Sequence, residues 1–198
     1  MKIAPIPSRL DFVAAGRAAL DFVTEPPYSL WLTGQDEGRI AYEGGDVMLV
    51  LLHERLSYEL GIALWRPSVE GEARRPFGIP DMIRVADPAK AHDYRSFSAT
   101  SVDSVRRGVA ELVSDLRGYG LAAVIGEGNF YRQMSEARSE AIKEWATEIA
   151  DKAARESGTQ AWLRQDFEGV IKAYRPMEGR LSKAERARLH YATQRIEK

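Results

Sequence analysis

The chain has no cysteine among its 198 residues. That excludes disulfides, thiolate zinc sites and a cysteine nucleophile, and it suits a reducing cytoplasm. Histidine is nearly as scarce. His53, His92 and His190 are far apart in sequence, so none of the clustered spacings of metal sites is present. His53-Glu54 lacks the second histidine that the zinc-protease motif requires. Long apolar runs are missing too: Val47–Leu52 and Leu121–Ile125 fall far short of the ~20 residues of a membrane-spanning helix. The leading segment MKIAPIPSRLDF carries prolines and charges where a signal peptide needs an apolar run. These absences predict a cytoplasmic protein with no membrane partner, no metal and no cofactor.

A large net charge is also absent. The formal value is −1, so no global field draws the chain to nucleic acid or membrane. The charge is uneven, however. Residues 1–60 hold nine acids against five bases, and residues 157–198 hold five acids against nine bases. Pairing of the basic end with acidic segments of the same chain is the simplest expectation.

What the chain does contain is a change of period. Phe12, Val13, Gly16, Ala19, Leu20 and Val23 make a helical stripe that opens near Ser8, with Asp11 in capping position, and stops at Pro26-Pro27. From Tyr28 to Arg66 four short runs rich in β-branched, aromatic and leucine residues alternate with turns: Tyr28–Thr33, Arg39–Glu43, Val47–His53 and Ser57–Arg66. That is the pattern of an antiparallel meander. Tyr58, Leu60, Ile62 and Leu64 share one face, which should be core. The third run is apolar on both faces and predicts a central strand covered on both sides. Phe77–Val85 could add a fifth strand, which Pro80 would either confine to an edge or break. The stretch Ala86–Thr100 reads as irregular.

Thereafter the chain is helical. Thr100 or Ser101 caps a helix with Val102, Val105, Val109, Leu112, Val113 and Leu116 on one face, and Gly118 and Gly120 end or bend it. A long helix is expected from Phe130 to Glu156, with Phe130, Met134, Ala137, Ala141, Trp145 and Ile149 buried and Ser157-Gly158 closing it. A further helix from Thr159 places Leu163, Phe167, Val170, Ile171, Tyr174 and Met177 inward. Ser182-Lys-Ala-Glu185 is a capping box that opens a last helix with Leu189, Ala192 and Ile196 inward. The fold class is α+β: an N-terminal helix, a four- to five-stranded antiparallel meander, then about four helices. One domain is expected, with sheet in 1–99 and helices in 100–198.

Catalytic patterns are sparse. His92-Asp93 in the irregular stretch offers a base and an orienter, but no nucleophile accompanies them. Gly126-Glu-Gly128 has Tyr131 where the third glycine of a dinucleotide fingerprint would stand, and no phosphate-binding lysine follows. It reads as a helix–helix turn. Asp36-Glu37 and Glu70…Glu72 read as solvated turns. The basic tail carries Arg164, Lys172, Arg175, Arg180, Lys183, Arg186, Arg188, Arg195 and Lys198, with Tyr174 and Tyr191 nearby, but Glu168, Glu178 and Glu185 dilute it. A hydrolase using Ala86–Thr100 and a nucleic-acid-associated protein using this tail are the two alternatives.

The densest single pattern is the row Glu136, Glu140, Glu144 and Glu148. Spacing of four stacks these side chains on one helix face. Like charges so placed oppose the helix by about 0.2–0.5 kcal/mol per pair. Arg132 and Lys152 continue the row at its two ends, and Lys143 lies three residues from Glu140. The row is either a solvent-facing or tail-covered surface, or a docking site for a protein partner with a basic surface. Trp145, Trp162 and Tyr119 are the aromatics that could adjoin it, although Trp145 falls on the apolar stripe.

Two segments carry a resemblance. Leu56-Ser-Tyr-Glu-Leu-Gly-Ile-Ala-Leu-Trp65, together with Asp166-Phe-Glu-Gly-Val-Ile171 and Leu181-Ser-Lys-Ala-Glu-Arg186…Leu189-His-Tyr-Ala192, resembles segments of small uncharacterised bacterial α+β proteins. Some of those are similar to immunity proteins, which neutralise a toxin. The matching residues are packing positions without catalytic groups. The resemblance implies a fold, and as function a non-enzymatic, immunity-type inhibitor that occludes a basic partner.

Overall fold

Residues 8–197 are described by a computed structural model. The leading segment before Ser8, the side chain of the expected cap Ser8, and Lys198 fall outside what is described. The chain forms two compact units, Met1–Arg138 and Ser139–Lys198. The change from strands to helices near residue 99 is therefore not a unit boundary, since two further helices and the start of a third belong to the first unit.

In the first unit, helix α1 (Ser8–Leu20) and a 3-10 turn (Asp21–Thr24) bury Phe12, Leu20 and Val23. Gly16 lies on the same face, and a Cβ there would meet the side chains of Ile40 and Leu51. Its bare backbone lets the helix lie close on the sheet. The second, third and fourth runs form β2 (Arg39–Gly44), β3 (Val47–His53) and β4 (Glu59–Trp65), while the first is displaced along the chain, β1 being Trp31–Asp36 rather than Tyr28–Thr33; each strand is antiparallel to the next. The registers Ile40↔Leu51↔Ile62 and Tyr42↔Leu49↔Leu64 align the buried residues of three strands on one face, as the period-two pattern predicts. Strand β3 is central, and its second face is only partly covered: Val50 is buried, while Met48 and Leu52 are half-buried. His53 is a core histidine. Its Nε2 lies 3.0 Å from the Ala99 carbonyl oxygen, and its ring stands 5.5 Å from that of Phe12.

The expected fifth strand is shorter than its apolar run. Of that run only Phe77–Gly78, strand β5, pairs with β4, and Ile79–Ala86 is helix α2. Pro80 sits in the first turn, where no hydrogen bond is lost. The Gly78 amide donates to Asp81 Oδ2 at 2.8 Å, and Ile79, Met82 and Ile83 turn inward. The stretch expected to be irregular holds α3 (Pro88–Asp93), capped by Asp87, and β6 (Phe97–Ser98), which pairs with Glu59 and Leu60. Helix α4 (Val102–Tyr119) is capped by Ser101 and buries Val105, Val109, Leu112, Val113 and Leu116. A one-turn helix α5 (Leu121–Ile125) ends at Gly126, whose φ of 84° lies in the left-handed region. The glycine pair there is indeed a turn between helices. Helix α6 (Gly128–Leu163) then begins, and Tyr131 and Met134 enter the same core.

The second unit holds the rest of α6, helix α7 (Phe167–Tyr174), a 3-10 turn (Arg175–Arg180) and α8 (Lys183–Ile196). Its buried cluster is small: Ala161, Val170, Tyr174, Met177, Leu181, Leu189 and Ala192. The long helix does not close at Ser157-Gly158. It runs on to Leu163 and breaks at Gln165, which has φ 57°, before Asp166 caps α7 by accepting from the Gly169 amide at 2.9 Å. Gly158 is instead buried in mid-helix, where the Tyr174 ring fills the space of a side chain. The capping box before α8 forms as read: Ser182 Oγ accepts from the Glu185 amide at 3.3 Å, and Glu185 Oε2 accepts from the Ser182 amide at 2.7 Å. Leu163 and Ile196, expected inward, are exposed.

Candidate docking surface

Helix α6 from residue 139 to 150 has no buried side chain. The apolar stripe expected along the whole helix is buried only at its start. Met134 is fully buried and Ala141 half-buried, but Trp145 is 64% exposed and Ile149 48% exposed. Ile142 is exposed as well. Ile142, Trp145 and Ile149 are spaced three and four apart, so they form one apolar stripe on the helix. The period of a sequence marks an apolar face; whether that face is covered depends on elements elsewhere in the chain.

All four glutamates of the row are exposed. Glu136 accepts from Arg132 Nη1 at 3.0 Å, and Lys143 Nζ lies 2.6 Å from Glu140 Oε1. Glu144 and Glu148 have no hydrogen-bonding or ionic partner among the described residues, and Lys152 does not reach Glu148. Nor does the basic tail cover Glu140, Glu144 and Glu148 within its own unit. One carboxylate of that unit, Asp151, does meet the basic tail, and the tail's own Glu185 faces Arg155 of α6. Arg180 makes a two-pronged pair with Asp151 at 2.7 and 2.8 Å, and Arg155 reaches Glu185 at 3.4 Å.

Arg180 thereby holds the Asp151 carboxyl below the usual carboxylate range, chiefly by hydrogen bonding. The Ser182 amide does the same for Glu185. A carboxyl whose folded pKa is depressed adds stability above its unfolded pKa, and that stability is lost as pH falls through the folded value. The second unit is thus expected to loosen below about pH 4. Amide exchange of residues 151–196, measured between pH 7 and pH 3, reads this directly, and Asp151→Asn should flatten the response. An identical pH response in that variant would remove Asp151 as the cause.

A second surface lies in the same unit. Trp162, Phe167 and Tyr191 pack edge to face with ring centroids 5.5 to 6.3 Å apart. With Leu163, Arg188 and Arg195 they line an open groove of about 850 Å³ without any acidic side chain. Arg188 lies over the Trp162 ring at 5.8 Å, and Arg195 donates to the Tyr191 hydroxyl oxygen through Nε at 2.9 Å and Nη2 at 2.7 Å. Tyr174, the other aromatic of the tail, is core, as its period predicts. Of this groove the sequence showed only its parts. Phe167 and Tyr191 are 24 positions apart, and only the break at Gln165 brings the end of α6 against α8.

The other candidates are ordinary surface. His92 and Asp93 are both exposed at the end of α3. Asp36 accepts from the Gly38 amide at 2.9 Å within its own turn. Glu72, read as a solvated turn residue, instead takes the Arg66 amide at 2.9 Å and its guanidinium at 2.7 Å. Tyr119 is half-buried, with Lys90 Nζ 3.2 Å from its hydroxyl. No cluster of three or more His, Asp or Glu side chains that could hold a metal ion occurs among the described residues. None of the described helices is long and apolar enough to cross a membrane.

No protein-family model matches the sequence, no curated protein matches it, and no solved structure matches the fold.

Proposed function

We propose that the chain is a non-enzymatic protein-binding module that captures a partner with a basic surface on the exposed middle of α6. One observation carries this reading: Trp145 stands out in solvent beside Glu144 and Glu148, neither of which has a partner among the described residues. An exposed tryptophan is a preferred anchor of protein interfaces. Exposed apolar residues in a row, rimmed by charge, mark binding surfaces. Unpaired carboxylates beside the anchor would steer a cationic partner and set its orientation. Occlusion of a basic toxin is the use that the resemblance to immunity proteins implies, and Glu136, Glu140, Glu144 and Glu148 are the acidic side of that contact.

The test uses a defined probe, a synthetic amphipathic helix of lysine and leucine. Trp145 fluorescence is read in a variant whose other tryptophans, Trp31, Trp65 and Trp162, are phenylalanine. The peptide is expected to shift the emission of Trp145 to the blue and to bind less tightly as salt rises. Glu140→Lys with Glu144→Lys should weaken binding by about tenfold or more, a change of about 1.4 kcal/mol, with the helical circular dichroism unchanged. Equal affinity in the reversed-charge variant would remove the glutamates from the surface.

A further inference from the structure

Among the described residues, six of the ten large apolar side chains left exposed lie in the second unit: Ile142, Trp145, Ile149, Leu163, Tyr191 and Ile196. That unit spans only residues 139–198, and so high a density of open apolar surface is unusual for an unpartnered surface. The exposed side chains fall into two patches of opposite rim charge. On α6, Trp145 adjoins Glu144 and Glu148. In the groove, the aromatic floor of Trp162, Phe167 and Tyr191 adjoins Arg188 and Arg195. Neither rim is neutralised by the other within one chain, because the glutamates stay exposed and no carboxylate lines the groove.

We infer that the partner of the acidic helix face is a second copy of this chain: Trp145, Glu144 and Glu148 of one copy enter the groove of Trp162, Arg188 and Arg195 of the other. This rests on the protein-binding reading of α6 and names its partner. Both surfaces belong to one unit, so each copy presents both halves of the contact. A two-fold arrangement uses them twice, with each helix face in the other copy's groove, and closes after two copies. Tryptophan and arginine anchors in an apolar setting with complementary charge are what such an interface favours.

The experiment is sedimentation of the full chain from about 1 µM to about 0.1 mM, with two charge reversals. Wild type is expected to pass from monomer to dimer across that range. Glu144→Arg with Glu148→Arg should leave a monomer, and so should Arg188→Glu with Arg195→Glu. Mixed in equal amounts, the two reversed chains should form a dimer again, because acid meets base at both contacts only in the mixed pair. Trp145→Ala should weaken the wild-type dimer at least tenfold without changing the charge.

A wild type that stays monomeric throughout, or a dimer that survives both reversals, would overturn the second-copy inference. So would a single-stranded oligonucleotide that binds at Arg188 and Arg195 and leaves wild type a monomer. If the lysine–leucine helix still binds Trp145 in a chain that never dimerises, only the second copy falls and the protein-binding reading stands. If the peptide fails as well, both fall.

Discussion

Replacing Gly158 by alanine is expected to destabilise the second unit by about 2 kcal/mol. On propensity alone the sign would be the opposite, since alanine favours a helix over glycine by about 1 kcal/mol. The difference is the Tyr174 ring, which occupies the place of the Gly158 side chain and is fully buried in a cluster of seven residues. A methyl group there forces Tyr174 off its rotamer or pushes α7 away. With so few buried residues, little else can absorb the shift. Urea unfolding followed by amide exchange of residues 151–196 reads the change. Gly158→Ala combined with Tyr174→Leu should recover part of the loss, because the smaller side chain vacates the collision. A single variant more stable than wild type would show that the ring lies elsewhere.

The largest expected loss in the first unit is at Tyr131. Its side chain is 1% exposed, meets Phe77 edge to face at 5.6 Å, lies under the Arg66 guanidinium at 4.4 Å, and donates its hydroxyl to the Ala123 carbonyl at 3.1 Å. Tyr131→Ala removes an aromatic ring from a sealed core and should cost about 3–5 kcal/mol. Tyr131→Phe keeps the ring and gives up the hydrogen bond, for about 1 kcal/mol. Burial also pushes the hydroxyl pKa above the ordinary 10.0, as it does for Tyr42 and Tyr94. A group with a raised folded pKa stabilises below its unfolded value, and that stability is lost as pH rises through the folded one. The first unit should therefore weaken above about pH 10, and less steeply in Tyr131→Phe. Alkaline denaturation that ignores this substitution would contradict the buried phenol.

The sheet was legible because its signals are local. Alternation places Leu60, Ile62 and Leu64 on one face, and the turns between runs are short, so strand, face and partner follow together. Helix ends were less so. Gly158 carries the mark of a stop, yet nothing near it in sequence announces that Tyr174 will come to fill its missing side chain. The true break has its own signal, Asp166 with Gly169 three residues on, and a helix cap was readable there. Likewise Pro80 with Asp81 could have been read as a helix start rather than a damaged strand. The candidate docking surface divides the same way. The glutamate row follows from spacing alone, but the exposure of Trp145 depends on which elements fail to cover it, and no periodicity records that.

The open middle of α6 also bears on what the helix itself requires. From residue 139 to 150 no side chain is buried, so intrinsic preference weighs heavily in what the helix requires there. Ala141, Lys143, Ala146 and Ala150 meet it well. Ile142, Trp145 and Ile149 do not, because branched and aromatic side chains lose rotamer freedom against the preceding turn. Each costs up to about 0.7 kcal/mol relative to alanine. Alanine at all three positions would make a more stable helix, so the stripe subtracts from the fold that displays it. That cost is offset only when another surface covers it.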